Sequence, residues 1–200
     1  MTKTEQLSQL NTKWLAECTC ELRKTATQDV TGFGNADARI VFIGEAPGAK
    51  EDKEGRPFIG SAGKFLDEML ASIKMKREDI YITNIVKYRP PENRDPSPEE
   101  IASCSMWLEE EIKIIDPDLI IFLGRYSMNY FFPKMKISEE HGELSTEKLF
   151  GRLRNFLPLY HPAAALYNGS LREVLKADFA RIPKILKMIE EQNPCDTHMI

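Results

Sequence analysis

Four short apolar runs divide the chain, and a glycine-rich, proline-rich or polar segment follows each of them. The runs occupy residues 38–44, 79–87, 118–124 and 154–160. Continuous apolar runs of this length are typical of strands that are buried on both faces of a parallel sheet. The pattern therefore predicts four central strands.

Between these runs, apolar residues recur at helical spacing. The pattern predicts helices over residues 3–17, 61–75, 98–115, 125–132 and 170–191, and leaves residues 133–152 as a polar loop or hairpin. Ser97 and Glu100 have the spacing of a capping box, and Ser61 is the expected N-cap of the second helix.

Strands that alternate with helices predict an α/β fold. We expect a three-layer α/β/α sandwich around a central, mostly parallel four-stranded sheet. We expect a single domain over residues 1–192 and a flexible tail over residues 193–200.

Composition narrows the class of protein. Of the 200 residues, 42% are apolar, which suits a compact core, and the formal net charge is −4, so any contact with nucleic acid would need a local basic patch. No run resembles a signal peptide or reaches the length of a membrane span, so we expect a cytoplasmic protein without membrane contact. The cysteines are expected to be reduced thiols or metal ligands: Cys18, Cys20, Cys104 and Cys195.

The segment after the first predicted strand carries an acid, several glycines and an isolated aromatic ring. Glu45 lies between Gly44 and Gly48, where a carboxylate can position water or face a developing cation. Phe58 stands alone in a polar loop, and such a ring can stack on a flat base. The structural alternatives are a plain turn with a solvated Glu45 and a Phe58 ring tucked against the sheet.

Asn84 and His161 lie at the ends of two other predicted strands. A buried amide needs a partner, either backbone or ligand, because an unpaired polar group is costly. His161 is the candidate imidazole, since His141 and His198 lie in a polar stretch and in the tail. A structural role is the commoner one for both residue types. Because ligands of such sheets bind beyond the carboxyl ends of the strands, we expect these motifs to converge.

Basic residues crowd the same loops, whereas acids such as Glu109, Glu110 and Glu111 lie on a predicted helix away from them. The basic set comprises Lys50, Lys53, Arg56, Lys64, Lys87, Arg89, Arg94, Arg152, Arg154, Arg172, Lys176 and Arg181. A net-acidic protein that binds DNA needs this distribution of charge.

Three sequence blocks together resemble family 4 of the uracil-DNA glycosylase superfamily. They are GEAPG with GRPFIGSAG around residue 50, ITNIVKYRPPENRDP from residue 82, and YHPAAAL from residue 160. The resemblance covers about residues 17–185, in order and spacing. It implies an enzyme that flips uracil out of DNA, hydrolyses the N-glycosidic bond and leaves an abasic site.

The resemblance also implies roles for individual residues. Phe58 stacks on uracil, Asn84 bonds to its N3–H and O4, and His161 donates to O2, where negative charge gathers as the base leaves. Glu45 is the second catalytic residue and faces the sugar or orients the attacking water. Two further substrate-binding residues follow, namely Ala46 and Glu51, the second of which closes the pocket against the methyl group of thymine.

Contacts with DNA are expected from three regions. Helix N-terminal amides can hold a phosphate, and the residues assigned there and in the proline-rich loop are Ser61, Gly63, Lys64 and Arg89. Leu166 and Tyr167 match the loop of the family that wedges into the duplex.

The chain departs from the family at its cofactor. Family 4 enzymes carry a 4Fe–4S cluster on four cysteines, and the matching positions here hold Glu17, Cys20, Tyr88 and Cys104. Because a cubane needs four soft ligands, we expect no cluster and no other metal, with packing around Tyr88 in its place. The branch of the superfamily that traps uracil covalently uses a histidine that residues 88–98 lack.

Two alternatives stay open. The same scaffold can act on another deaminated base, such as hypoxanthine, or the protein can be a catalytically inactive binder of damaged DNA. The expected partner is single- or double-stranded DNA that contains uracil, and the expected state is a monomer. The sequence identifies no protein partner such as a sliding clamp.

Overall fold

A six-stranded sheet forms the centre of the computed structural model, which describes residues 1–192; the predicted tail of residues 193–200 lies outside the described residues. The strands are β1 (Phe33–Gly34), β2 (Ile40–Gly44), β3 (Tyr81–Asn84), β4 (Leu119–Leu123), β5 (Ser145–Leu149) and β6 (Arg152–Leu159). The helices are α1 (Lys3–Glu17), α2 (Ala49–Glu54), α3 (Ser61–Ser72), α4 (Pro98–Ile115), α5 (Arg125–Phe131), α6 (Ile137–Glu140), α7 (Pro162–Tyr167) and α8 (Gly169–Gln192). Short 3₁₀ turns lie at Glu21–Lys24, Arg77–Asp79 and Pro91–Asn93.

The four inner strands are parallel, and the two edge strands are antiparallel to their neighbours. The order across the sheet is β1-β3-β2-β4-β6-β5. The predicted mostly parallel sheet is confirmed, but the predicted count of four strands is corrected to six. Both extra strands lack an apolar run, since β1 is exposed throughout and β5 has the polar sequence STEKL. An edge strand that faces solvent shows no buried pattern in the sequence.

Side chains of the inner strands alternate between two hydrophobic layers. Val41 and Ile43 face a core shared with α1, α4 and α5. Ile40 and Phe42 face a second core shared with α3, α7 and α8. The three-layer α/β/α prediction is therefore confirmed.

The two predicted helix caps have different outcomes. Ser97 Oγ accepts the amide of Glu100 at 3.3 Å and the Glu100 carboxylate accepts the amide of Ser97 at 2.7 Å, which confirms the capping box of α4. The predicted cap at Ser61 is wrong, because Gly60 is the N-cap of α3 and Ser61 is its first helical residue. The amides of Ile59 and Gly60, just before α3, donate to the Glu51 carboxylate.

The topology brings the candidate residues to one edge. Parallel pairing places the carboxyl ends of β2, β3, β4 and β6 side by side. The chain continues from β2 to β3 on one side and then returns to β4 on the other, so a crevice opens beside the end of β2.

None of the helices within residues 1–192 has the length and apolarity needed to cross a bilayer.

A buried ion pair lies under this edge and corrects the predicted basic surface. Lys87 and Glu111 are only 3% and 2% exposed, and Lys87 Nζ lies 2.6 Å from Glu111 Oε2. The same carboxylate accepts the hydroxyls of Tyr81 at 2.7 Å and Thr83 at 2.9 Å. Lys87 Nζ also donates to the backbone carbonyl of Asn84 at 3.1 Å. Lys87 therefore faces the core and is not available to DNA.

Loss of this lysine is expected to destabilise the fold strongly. Lys87→Met leaves the Glu111 carboxylate buried without its counter-charge, which typically costs about 3–5 kcal/mol. Urea unfolding followed by circular dichroism measures the free energy of unfolding. The control is Lys24→Met, which breaks an exposed pair with Glu21 and is expected to cost at most about 1 kcal/mol. Equal losses in the two variants would contradict a structural role for the buried pair.

Candidate active site

A cavity of about 360 Å³ lies at the carboxyl edge of the sheet. Six residues predicted to act on substrate contribute to its wall: Glu45, Ala46, Glu51, Phe58, Asn84 and His161. The rest of the wall is formed by Pro47, Gly48, Ala62, Pro90, Asn93, Arg94 and Ala163. The volume is at the small end of the range for ligand pockets and suits a single small ring system.

The wall depends on the missing side chain of Gly44. A Cβ atom there would lie 2.4 Å from Asn84 Oδ1 and 2.6 Å from Phe58 Cζ. Gly44 and Asn84 face each other in the parallel register of β2 and β3, so neither strand can move aside independently. Glycine at this position lets the amide and the aromatic ring approach the same space.

Asn84 contributes to the cavity wall and carries a buried, unpaired acceptor. The residue is 1% exposed, and within residues 1–192 its Oδ1 has no hydrogen-bond partner. An unpaired buried oxygen costs about 1–3 kcal/mol, so a ligand that donates to it recovers this free energy. The expected partner of the amide is therefore not protein backbone, and a ligand N–H fits the position.

Phe58 is buried and still contributes to the cavity wall. It is 6% exposed, packs in the core between the sheet and α3, and its ring centroid lies 5.7 Å from that of His161. The expectation that Phe58 stands alone in a polar loop is therefore wrong. The loop folds back over the end of β2, and the ring packs against the sheet. Its φ angle is +52°, a left-handed conformation that costs about 1–3 kcal/mol for a non-glycine residue.

His161 is held as a neutral imidazole with a defined tautomer. It follows β6 as the N-cap of α7, and its Nδ1 accepts the amide of Ala163 at 3.1 Å. Burial lowers the pKa of His161 to about 4, against an opposing effect of the Glu51 carboxylate. Because Nδ1 is an acceptor, the single proton of the neutral ring is on Nε2. Nε2–H is therefore the donor that His161 can offer to a ligand.

Glu45 directly follows β2, beside the acid Asp95 from a loop and the base Arg125 from the start of α5. Burial and, to a lesser extent, the negative charge of Asp95 raise the pKa of Glu45 to about 7, against the opposing positive charge of Arg125. The hydroxyl of Tyr126 donates to Asp95 and accepts from Arg125, so the three side chains form one linked group. A carboxyl group with a pKa near neutrality can accept or release a proton at physiological pH.

Glu51 has a structural part in the site. Its Oε1 accepts the amides of Ile59 at 2.9 Å and Gly60 at 2.7 Å, directly after Phe58. It therefore fixes the backbone that carries the aromatic ring, in addition to forming part of the wall.

The residues predicted to contact DNA are placed unequally. Ser61 and Lys64 are exposed at the start of α3, and Tyr167 at the end of α7 is 93% exposed. Leu166 is half-buried against the core, and Arg89 is half-buried with Nε donating to Asn93 at 2.8 Å. Gly63 is buried, and a Cβ there would lie 1.8 Å from the carbonyl oxygen of Phe58. This close packing accounts for the glycine without a contact to DNA.

The predicted basic surface is smaller than the sequence suggests. Arg154 is 4% exposed and bonds to Asp116. Further members of the set have acidic partners, namely Lys87, Arg94, Arg152, Arg172, Lys176 and Arg181. Within the described part of the chain, the exposed members without an ion pair surround the first loop: Lys50, Lys53, Arg56 and Lys64.

Reasoning from the sequence missed three functional candidates, namely Asn93, Asp95 and Tyr126, and it assigned Arg94 only to the basic surface. Asn93 and Arg94 line the cavity, and Arg94 is held by the Glu100 carboxylate at 2.6 and 2.8 Å. Both belong to the block RPPENRDP, so a motif signal was available for them. Asp95 and Tyr126 approach each other across 31 positions of sequence, and no local pattern predicts that contact.

The fold and cavity define an α/β protein with a base-sized pocket at a topological switch point. A family model described as the uracil DNA glycosylase superfamily matches residues 31–185. The chain is 46% identical to a type-4 uracil-DNA glycosylase of Archaeoglobus fulgidus, over 83% of this chain and 86% of that protein. It is 47% identical to the enzyme of that name from Saccharolobus solfataricus (84% and 80% covered) and 40% identical to that from Thermotoga maritima (92% and 96% covered). The chain belongs to the uracil-DNA glycosylase superfamily.

The four positions that match cluster ligands do not form a soft metal site. Glu17 is exposed and lies 3.9 Å from Lys13, and Tyr88 is buried with its ring stacked on Trp14 at 5.6 Å. Burial raises the pKa of Tyr88 to about 12, which keeps its phenol neutral. Cys20 and Cys104 are buried together. Within residues 1–192, no three histidine, cysteine or acidic side chains converge as metal ligands.

Burial and mutual contact shift the pKa values of the thiols in this region in different directions. A hydrogen bond from Cys104 lowers the pKa of Cys20 to about 6, and the same interaction raises that of Cys104. Burial raises the pKa of Cys18 to about 11. A 4Fe–4S cluster needs four soft ligands, and only two of the four matching positions, Cys20 and Cys104, hold cysteine. The residues present do not fit a 4Fe–4S cluster.

Titration of Glu45 tests the electrostatic description of the site. Carbon-13 NMR of labelled glutamate is expected to show one carboxyl group with a midpoint near pH 7. Asp95→Asn removes a negative charge, so the midpoint should fall, although burial keeps it above the ordinary value. The exposed acid Glu147 on β5 provides the control variant Glu147→Gln, in which the midpoint should not move.

The same shift predicts how stability depends on pH. The folded-state pKa of Glu45 is above its unfolded value, so its contribution to stability is complete below about pH 4.5 and is lost as the pH rises through about 7. Glu45→Gln should therefore gain stability relative to wild type between pH 4 and pH 8. A constant difference across that interval would contradict the raised pKa.

Proposed function

We propose that this chain removes uracil from DNA by hydrolysis of the N-glycosidic bond and leaves an abasic site for base-excision repair. The observation that carries the proposal is the unpaired Asn84 oxygen, in the wall of the same small cavity as a neutral His161 donor. The three relatives described above are named type-4 uracil-DNA glycosylases and resemble it over most of both chains.

Recognition of uracil follows from the hydrogen-bonding capacity of the wall. The Asn84 amide offers an acceptor and a donor side by side, which match N3–H and O4 of uracil. Phe58 stacks on the ring, and Ala46 and Glu51 complete the wall around it. Cytosine presents the opposite donor and acceptor at these atoms, so its rejection requires neighbours that prevent the Asn84 amide from rotating by half a turn. The cost of unpaired buried groups is the source of discrimination.

Catalysis is electrostatic in this proposal. As the bond from C1′ to N1 breaks, its electron pair moves onto the base and charge accumulates at O2, where His161 Nε2–H donates. Glu45 faces the sugar, which develops cationic character, and accepts a proton from the attacking water. The water oxygen becomes the hydroxyl of the abasic sugar, and the base leaves as uracil after protonation. The raised pKa of Glu45 suits a base that works near neutral pH.

Several finer assignments belong to the same proposal. Ser61, Lys64 and Arg89 contact the DNA backbone, Gly63 supports the loop that carries them, and Leu166 and Tyr167 occupy the space left by the flipped nucleotide. The exposed Tyr167 and the unpaired lysines around the first loop support this arrangement. We propose that the protein acts in the cytoplasm as a single-domain monomer, over residues 1–192, on single- and double-stranded DNA.

Base release is tested with labelled oligonucleotides that contain uracil, hypoxanthine, cytosine or thymine, followed by alkali and a denaturing gel. Strand breaks only at uracil are expected. His161→Ala should lower the single-turnover rate about a hundredfold or more, because it removes a donor that acts on charge in the transition state. Its affinity for uracil-containing DNA should stay close to that of wild type.

The control for this variant is His141→Ala, since His141 lies outside the cavity wall.

Asn84→Asp should narrow the difference in rate between uracil and cytosine, because a carboxylate cannot donate to O4. Breaks only at hypoxanthine would reassign the substrate, and retarded DNA without breaks would indicate a binding protein.

We also propose that the chain folds and works without an iron–sulfur cluster. The support is the donor set: Tyr88 is a neutral phenol stacked on Trp14, and Trp14 in turn packs edge-on against Trp107 at 5.5 Å. The aromatic stack joins α1 to α4 and to the segment after β3. These are the segments that the four matching positions span, so packing supplies the connection between them.

Iron content and visible absorption test the cofactor proposal. Protein purified without oxygen is expected to lack the broad visible absorption of a cluster and to contain no stoichiometric iron. The double variant Glu17→Cys/Tyr88→Cys restores the four-cysteine set and serves as the positive control for iron uptake. About four iron atoms per wild-type chain would overturn the proposal.

A further inference from the structure

The backbone of Phe58 is strained and is held from outside the cavity. A non-glycine residue at a φ of +52° needs surrounding contacts to keep it there. Arg77 Nη2 donates to the carbonyl oxygens of Pro57 at 2.8 Å and Phe58 at 2.5 Å. Arg77 Nη1 donates to Asp67 on α3 at 2.8 Å. The guanidinium thus ties two loop carbonyls to a rigid helix.

Gly63 and Glu51 also contact the loop that carries Phe58. The buried Gly63 packs against the Phe58 carbonyl, and the Glu51 carboxylate holds the next two amides. The Phe58 ring then lies between Gly44 and His161, where it forms part of the cavity wall. Arg77 is thus the one of these three contacts that holds the Pro57 and Phe58 carbonyls through donated hydrogen bonds.

We propose that Arg77 is a positioning residue for the Phe58 ring and thereby sets how tightly the cavity holds a planar base. This inference rests on the proposed function, because the base is the flipped uracil. Arg77 is not part of the cavity wall and acts only through the loop. It lies in the 3₁₀ turn Arg77–Asp79, between α3 and β3 and outside the quoted motif blocks.

The chemistry of the contact requires arginine. One planar guanidinium reaches two carbonyl oxygens and a carboxylate at once, whereas a lysine ammonium is a single nitrogen on a flexible stem. Arg77→Lys is therefore expected to keep part of the effect, and Arg77→Met to lose it. Comparison of Arg77→Lys with Arg77→Met separates the effect of the several guanidinium N–H donors from that of the positive charge alone.

Inhibition by free uracil measures the hold of the cavity on the base without the DNA backbone. Arg77→Met and Phe58→Leu should each weaken inhibition about tenfold, which is within the usual value of stacking on an aromatic ring. The double variant should be no weaker than Phe58→Leu, because Arg77 acts through the ring. Arg77→Lys should fall between wild type and Arg77→Met. Losses that multiply in the double variant would overturn the proposal.

Arg39→Met is the matched control. Arg39 also holds a carboxylate, that of Asp118 at 2.5 Å, but it precedes β2 at the opposite end of the strand. Inhibition by uracil should be unchanged in this variant. If free uracil inhibits Arg77→Met as strongly as wild type, the proposal is also overturned. If Arg77→Met does not fold, inhibition of Arg77→Lys is compared with that of wild type instead.

A measurement without substrate separates this inference from the proposed function. The ring current of Phe58 acts on the neighbouring His161 ring, so the His161 ring-proton resonances should move in Arg77→Met as they do in Phe58→Leu. They should stay in place in Arg39→Met. Absence of uracil release by wild type would refute the proposed function alone, whereas unmoved resonances in Arg77→Met would refute the role of Arg77 alone.

Discussion

The candidate site exists because two parallel strands end side by side and one of them carries no side chain there. Gly44 faces Asn84 in the register of β2 and β3, and a methyl group at Gly44 would overlap both the amide and the Phe58 ring. The backbone pairing continues one step beyond the strands, with the amide of Val86 bonded to the carbonyl of Glu45 at 3.2 Å. A rigid sheet edge thus fixes an amide and a carboxyl group relative to each other.

Burial at this edge moves two titratable groups in opposite directions. It disfavours the charged form of each, so it raises the pKa of Glu45 to about 7 and lowers that of His161 to about 4. One protein environment therefore supplies a carboxyl group that can exchange a proton at neutral pH and an imidazole that stays neutral. Both states suit a reaction in which the base leaves with negative charge.

The layers beneath the site combine packing and charge in a way that a list of motifs does not show. Lys87 appears as part of a basic loop in the sequence, yet it is buried against Glu111 and bonds to the carbonyl of Asn84. Tyr88, the next residue, stacks on Trp14 at a position where the family has a cluster ligand. The segment after β3 is therefore fixed by an ion pair on one residue and by aromatic packing on the next.

The sequence by itself determined the inner strands, the main helices, the capping box at Ser97 and six residues of the cavity wall. These features depend on local periodicity, on cap chemistry and on contiguous motifs, which neighbouring residues encode. Only the tertiary structure decided the edge strands, the pairing of Lys87 with Glu111, the link from Asp95 to Tyr126 and the contact of Arg77 with the Phe58 loop. Each of these joins residues distant along the chain, or faces solvent without an apolar pattern. Burial and long-range charge pairing arise only when the chain has folded, so no local pattern can carry them.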